Sequence, residues 1–408
     1  MGISDIFGNL FQPAKPAVKP VPAQPQAPKP VQDGLSVSAR ARNLSFQALQ
    51  RAEQKWGNSV QDHAHVAAAA GLLDTDDARK LAQAAIGKAD KAWSRSSDDE
   101  AELAWSAGQV KATQPGLEAL QRGQKNWGRG FNQDLALADA AASVGTDAAH
   151  AIGLQVLKDA KSTWFKGAGD QGRLALAAGL LGGDEARALG HEAIAKSGSW
   201  ANGVEEVTVM GMAGGLLGGE DATKAAKTVS DMIGRWGLAR EDRADLALAA
   251  SMLNDPAIKV KALEQLRKNE GGWGAGTTDE TLIAIAAARL GDNDLALKAL
   301  KKARGNWSRS SQDDALIGEA GALIGTPEAK EIGLAAVTEG EKNWGNGSAD
   351  EAALAKAAAY LGGAEVTAPR LIHEYVARKA EEAAEAAREA AAAEAARQAA
   401  EAAANNSK

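Results

Sequence analysis

The sequence predicts an all-α protein, an α-solenoid or a closed α/α ring of about nine two-helix repeats with a period of about 36 residues. Three observations predict it. First, nine tryptophans, Trp56, Trp93, Trp127, Trp164, Trp200, Trp236, Trp273, Trp307 and Trp344, are separated by 37, 34, 37, 36, 36, 37, 34 and 37 residues. Second, counting each Trp as position 0, position +10 is a large aliphatic residue in every unit from Val66 to Leu354, and so is position +17 from Leu73 to Leu361. Positions +13 and +14 between them are Ala, Gly or Ser, so a run with the 3, 4, 7 spacing of one helical face recurs in each unit. Third, the residue seven before the Trp is a branched aliphatic in eight of nine units, with Ala193 the exception, and the residue eleven before it is nearly always small. Each unit is thus a helix A after the Trp and a helix B before the next one, and neither can bury its apolar face without neighbours.

The elements follow in chain order. In residues 1–12, Ile3, Ile6, Phe7, Leu10 and Phe11 fall at helical spacing, which suits either a short amphipathic docking plug or a frayed terminus. Residues 13–38 hold seven of the eleven prolines, an extended tether with no core of its own. The helical-repeat domain is expected over 39–375. Helix A is expected to begin near +5 and end about +17, because Gly145, Gly182, Gly218, Gly291, Gly325 and Gly362 follow as left-handed caps. Its start is marked by Ser97 with Glu100, Thr277 with Glu280, Ser311 with Asp314 and Ser348 with Glu351, at capping-box spacing. The near-identical phrases WSRSSDDEA (93–101) and WSRSSQDDA (307–315) are then helix-start punctuation in two copies of one unit.

Helix B takes Pro115, Pro256 or Pro327 in its first turn, where a missing amide costs nothing. A Trp on the same stripe as small residues predicts an indole wedged into an alanine-lined seam, so the nine Trp are expected as repeat core and Trp236→Ala is expected to cost about 3 to 5 kcal/mol. An exposed ladder that binds sugar rings or peptide is the other reading, and Trp105 lies outside the series. After Leu361, VTAPRLIHEYVARKAEE resembles a helix B without its Trp that runs into residues 376–408. From residue 381 on, that tail is built from strong helix formers whose apolar side chains are Ala alone, which favours a solvated single helix over a strong coiled coil.

The chemistry is sparse. A formal charge of -7 and no clustered Lys or Arg argue against nucleic acid as a partner. The absence of Cys removes disulfides, thiolate metal sites and Cys nucleophiles. MGISDIFGNLFQ lacks the basic start of a secretory signal and has Ile6 where myristoylation wants Ser or Thr, and no stretch has the roughly 20 apolar residues of a membrane span. The cytoplasm, or the interior of a virion or other assembly, is the expected location.

Position +6 is acidic in eight units, Asp62, Asp99, Asp170, Glu206, Asp242, Asp279, Asp313 and Asp350, with Gln133 in the ninth. Aligned along one edge these could bind a basic peptide or cations, but as the second residue of helix A a carboxylate also answers the helix dipole. Asp74, Thr75, Asp76 and Asp77 match the DxDD pattern of class II terpene cyclases, and DDEAE (98–102) resembles the metal-binding acidic motif of class I enzymes. GGWGAGTTDETLIAIAAARLGD (271–292) looks like the hairpins of prenyltransferase and squalene-cyclase α/α toroids, which implies an α/α ring and, as the alternative function, an enzyme acting on isoprenoids or glycans. Each resemblance covers one unit or less, the 74–77 acids fall where other units read GGDE, GGED and GDND turns, and five Phe with two Tyr cannot line an isoprenoid cavity.

His63, His65, His150, His191 and His373 do not have ligand spacing, and there is no phosphate-binding glycine fingerprint. Tetratricopeptide repeats share the unit length and two-helix form without their landmark residues. The expectation is therefore a non-catalytic scaffold without metal or cofactor. It would bind protein partners or assemble, as a homo-oligomer or as an internal component of a phage particle or large bacterial complex.

Overall fold

A computed structural model describes residues 36–406 apart from 56–57, 93–94, 127, 164–166, 198–202, 236, 269–275 and 344. The described residues form helices and turns, with no strand. The A helices are α2 (Val60–Ala70), α4 (Ser97–Gln109), α6 (Phe131–Val144), α8 (Ala168–Leu181), α10 (Val204–Leu217), α12 (Arg240–Met252), α14 (Thr277–Arg289), α16 (Ser311–Ile324) and α18 (Ser348–Leu361). The B helices are α1 (Val37–Gln54), α3 (Asp76–Lys91), α5 (Thr113–Lys125), α7 (Asp147–Ser162), α9 (Asp184–Ser197), α11 (Gly219–Ile233), α13 (Pro256–Lys268), α15 (Asn293–Gly305) and α17 (Pro327–Gly340). Helix A begins at +4, one residue earlier than expected. Five of the six predicted cap glycines have positive φ, whereas Gly362 has φ -70° and passes the left-handed turn to Gly363 at φ 112°.

The two helices bury surface differently. Helix A is enclosed on most of its circumference: Ala244 to Met252 of α12 are all buried. Helix B buries one stripe, as in α15, where Leu295, Ala296, Ala299, Leu300 and Ala303 are inside. All nine +10 residues and all nine residues seven before the Trp are buried. Where the residue eleven before the Trp is glycine, at Gly116, Gly153 and Gly333, it has a definite partner, the +17 aliphatic of the following helix A. A Cβ placed on Gly153 would lie 2.7 Å from Leu181 Cδ1 and 2.9 Å from Ala141 Cβ, so a glycine lets α7 close onto α6 and α8.

That contact replaces the expected wedge of indole. Trp307, the one ladder tryptophan among the described residues, is 98% exposed, so the expectation of a core ring is corrected there. The physical reason is that +17 and +10 aliphatics already fill the space over the small stripe. Trp56, Trp93, Trp127, Trp164, Trp200, Trp236, Trp273 and Trp344 lie outside the described residues. Trp105, outside the series, is buried within α4.

Each helix A packs on the helix B that follows it and on the A helices before and after it, from α2 with α4 through to α16 with α18. Helix α18 also packs against α1 and α2, while α17 touches α1. The compact unit ends at Ala364, and Glu365–Lys408 forms a second unit. The latter contains α19 (Ala368–Asn406), a continuous helix in which Glu382 accepts from Arg378 and Lys379, both at 2.9 Å.

Two substitutions test this packing. Leu137→Ala, at a fully buried +10 position, is expected to cost about 2 to 5 kcal/mol in chemical denaturation. Trp307→Ala is expected to stay within about 0.5 kcal/mol of the wild type, and a loss comparable to that of Leu137→Ala would show that the ring is core.

Candidate functional site

The acidic edge has a local cause. In each of the nine A helices the +6 side chain, at the third helical position, accepts from the backbone N–H of the N-cap at +3. Ser59 N–H donates to Asp62 at 2.8 Å, Ser96 N–H to Asp99 at 2.9 Å and Gly167 N–H to Asp170 at 3.2 Å. Gly203 N–H donates to Glu206 at 3.2 Å, Ala239 N–H to Asp242 at 2.9 Å and Gly276 N–H to Asp279 at 3.2 Å. Ser310 N–H donates to Asp313 and Gly347 N–H to Asp350, each at 2.9 Å. Gln133 does the same for Gly130 at 3.0 Å, so the capping is independent of charge. The edge is thus engaged in starting helices.

The boxes sit one residue earlier than expected, and the residues at +4 and +7 have another role. Glu100, Asp134, Glu280, Asp314 and Glu351, all at +7, are 3 to 6% exposed and each faces a cation. In three units the cation is an Arg two residues after the Trp. Arg95 Nε donates to Glu100 at 3.0 Å and Arg309 Nε to Asp314 at 2.7 Å, while Arg129 pairs with Asp134. The same guanidinium reaches back to the end of the preceding helix B: Arg95 Nη1 donates to Asp90 O at 2.6 Å, Arg309 Nη1 to Arg304 O at 2.7 Å, and Arg129 Nη1 to Gln124 O. It also reaches forward, from Arg129 to Asp159 of α7 at 2.5 Å and from Arg309 to Glu339 of α17 at 2.8 Å.

The phrases WSRSSDDEA and WSRSSQDDA therefore each encode an Arg clamp, an N-cap serine and, at +6 and +7, two acids of different duty. The signal was present in the sequence as Arg at +2 with an acid five residues on. Burial pushes the carboxyls of Asp134 and Asp314 above the ordinary value of 3.8, against the lowering by their Arg partners. Burial likewise raises Glu341, which pairs with Arg51 at 2.7 Å.

The remaining candidates are dispersed. Thr75 caps α3, and Asp74 and Asp76 both bind Arg79, so the DxDD stretch starts a helix. Within DDEAE, Asp98 accepts from Gln133 at 3.2 Å, Asp99 caps, Glu100 is clamped and Glu102 faces His65 at 3.5 Å. His63 meets Glu53 at 3.2 Å, His150 meets Gly182 O at 3.0 Å and His191 meets Asp221. Among the described residues no group of three or more His, Asp or Glu could hold a metal ion, and no helix is long and apolar enough to cross a membrane. Ile3, Ile6, Phe7, Leu10 and Phe11 lie outside the described residues. A concavity of about 540 Å³ opens beside Arg235, Arg243 and Lys268. No protein-family model matches the chain, and no curated protein matches it either.

The Arg clamp makes a pH prediction. Asp314 is expected to titrate above 3.8 by carboxyl ¹³C NMR, and Arg309→Met to raise it further by removing the lowering contact. An acid raised in the folded state contributes stability that is present below 3.8 and lost as pH rises through the folded value, so the wild type loses stability relative to Asp314→Asn over that window. Titration below 3.8 would contradict burial as the dominant cause.

Proposed function

We propose that the chain is a non-catalytic scaffold whose hairpins close into a ring of nine, and that it serves protein association within a larger assembly. The observation that carries the scaffold reading is the use made of its acids. The +6 residues are acceptors for N-caps, and the buried +7 acids are partners of clamping cations. Carboxylates so engaged hold hairpins to one another, and a catalytic acid or base needs a lone pair or proton available to a substrate.

Ring closure is supported by contacts that repeat across the two ends of the chain. Ser311 Oγ on α16 donates to Gly340 O on α17 at 3.3 Å, and Ser348 Oγ on α18 donates to Ala52 O on α1 at 3.2 Å. Gly340 and Ala52 both stand four residues before their Trp. Glu351 at +7 pairs with Arg51 at 3.1 Å, as Glu100 pairs with Arg122 at 2.9 Å, and both arginines stand five residues before their Trp. Helix α1 thus stands to α18 as a helix B stands to its helix A, and Ser45 Oγ, buried, fastens it by donating to Ala355 O at 2.7 Å. In this reading a closed body with an exposed Trp307 presents the docking surface, and residues 1–12 form a second docking element on a Pro-rich tether.

Closure is tested by a circular permutant with new termini at Ser308 and a short linker joining Ala364 to Ser36. It is expected to fold cooperatively, while deletion of residues 37–54 exposes α18 and lowers the melting temperature. Rapid hydrogen exchange throughout α1 in the native chain would contradict closure. For the function, chain kept at its native level is expected to elute from a sizing column in a particle much larger than 42.0 kDa, and to leave that particle when residues 1–12 are removed. Elution as a monomer together with turnover of a glycan or isoprenoid diphosphate would replace the scaffold with an enzyme.

A further inference from the structure

We infer that Asn346 is a one-way modification site, where loss of the side-chain amide as ammonia leaves a carboxylate inside the junction of α16, α17 and α18. The sequence supplies the reactive pair. An Asn followed by Gly closes on itself more readily than other Asn dipeptides, because a residue without Cβ lets its backbone nitrogen reach the side-chain carbon. The chain holds two such pairs, Asn202–Gly203 and Asn346–Gly347, and Asn202 lies outside the described residues.

The junction is built on the amide that would be lost. Asn346 is 6% exposed. Its Nδ2 donates to Gly340 O, at the end of α17, at 2.9 Å, and its Oδ1 accepts from Ser311 Oγ, at the start of α16. Ser311 Oγ in turn accepts from Asn343 Nδ2 at 2.8 Å. Asn58 stands at the same place, two residues after its Trp, and donates to Ala52 O at 2.9 Å in the same way, but Ser59 follows it. The two sites share a bond and differ in the residue that would attack.

The folded contacts hold the reaction back. Gly347 N–H donates to Asp350 Oδ2 at 2.9 Å, so the attacking nitrogen is turned toward the first turn of α18, and a neighbouring negative charge opposes its deprotonation. When the junction opens, the Gly347 nitrogen gives its proton to hydroxide and bonds to Cγ of Asn346. The side-chain amide then leaves as ammonia, taking a proton from water. A second water opens the succinimide at either carbonyl and gives aspartate or isoaspartate. The aspartate presents an anion to Gly340 O where a donor stood, and an unpaired charge there resists burial. The isoaspartate adds a main-chain carbon directly before the N-cap of α18. Either product keeps the junction from closing as before, so an opening is recorded permanently.

The test follows the full chain in mildly alkaline buffer with and without urea, by peptide mapping of the mass gain at each Asn. Asn346 is expected to convert at least about tenfold more slowly in the folded chain than in urea. Asp350→Ala, which frees the Gly347 amide, is expected to raise the folded rate at Asn346, whereas Asp62→Ala, which removes the matching cap beside Asn58, leaves that rate unchanged. Asn346→Asp is expected to lower the melting temperature and to speed hydrogen exchange in α17 and α18. Should that variant fail to fold, hydrogen exchange of the wild type aged to partial conversion reads the same loosening. The inference is overturned if Asn346 converts equally fast in both states, if Asp62→Ala speeds it as much as Asp350→Ala does, or if the converted chain melts and exchanges as the unconverted one does.

Discussion

Closure of the +17 aliphatic over a glycine of the preceding helix B, as at Val144, Leu181, Leu217 and Leu361, is the contact on which the remaining architecture rests. Leu181 over Gly153 and Leu361 over Gly333, with virtual Cβ distances of 2.7 and 3.1 Å, show how little room is left. A helix of 11 to 14 residues gains too little from its own hydrogen bonds to persist alone, so it is stable only when enclosed. Enclosure in turn restricts its sequence. A helix A packed by one helix B and two other A helices has little circumference left for polar residues, which is why its middle is Ala, Gly and aliphatic and its charges collect in the first turn.

That restriction creates the electrostatic problem the chain then resolves. Successive A helices are each separated by one reversed helix B, so they run in one direction and their dipoles align. A carboxylate or amide at +6 answers the positive end of every one of them. The next residue, at +7, faces inward, and an acid there is removed from water at a cost of several kcal/mol unless it is paired. The Arg two residues after Trp93, Trp127 and Trp307 meets that need. One guanidinium binds the acid, the carbonyl at the end of the preceding helix B, and in two cases an acid of the following helix B. Three helices are joined by a group that a Lys could not replace, since a single ammonium lacks the fork of donors.

These causes explain which features were legible in the sequence. The +10 and -7 aliphatics, and the +17 aliphatics apart from the half-buried Val110 and Leu290, announce their burial because a period of helix turns inside a period of hairpins has no other economical origin. Helix starts were legible to one residue, and the error has a chemical source. Gly276 and Gly347 are N-caps with no side chain to display, so Thr277 and Ser348 at +4 with the acid at +7 drew the box one residue late, and beside the true caps Ser96 and Ser310 a second serine at +4 did the same. The inter-repeat clamp was legible only in part. Arg95 and Glu100 stand close enough in sequence to suggest a pair, whereas Arg122, Asp90 and the partnership of Arg51 with Glu351 depend on which helices become neighbours. Periodicity locates a helix face, but it does not name the partner across it.

Trp307 marks the limit of this reasoning from packing. The ring is in solvent, yet its spacing places it in the same series as eight others, and hairpin packing alone gives no reason for a large aromatic at that site. Asn306 ends helix B and Ser310 starts helix A without its help. Covering such a ring removes about 150 to 250 Å² from water, a gross gain of about 4 to 6 kcal/mol before the costs of association. Covering the ring would gain that much, and against it stands the rotamer freedom of an indole that its own hairpin leaves in solvent.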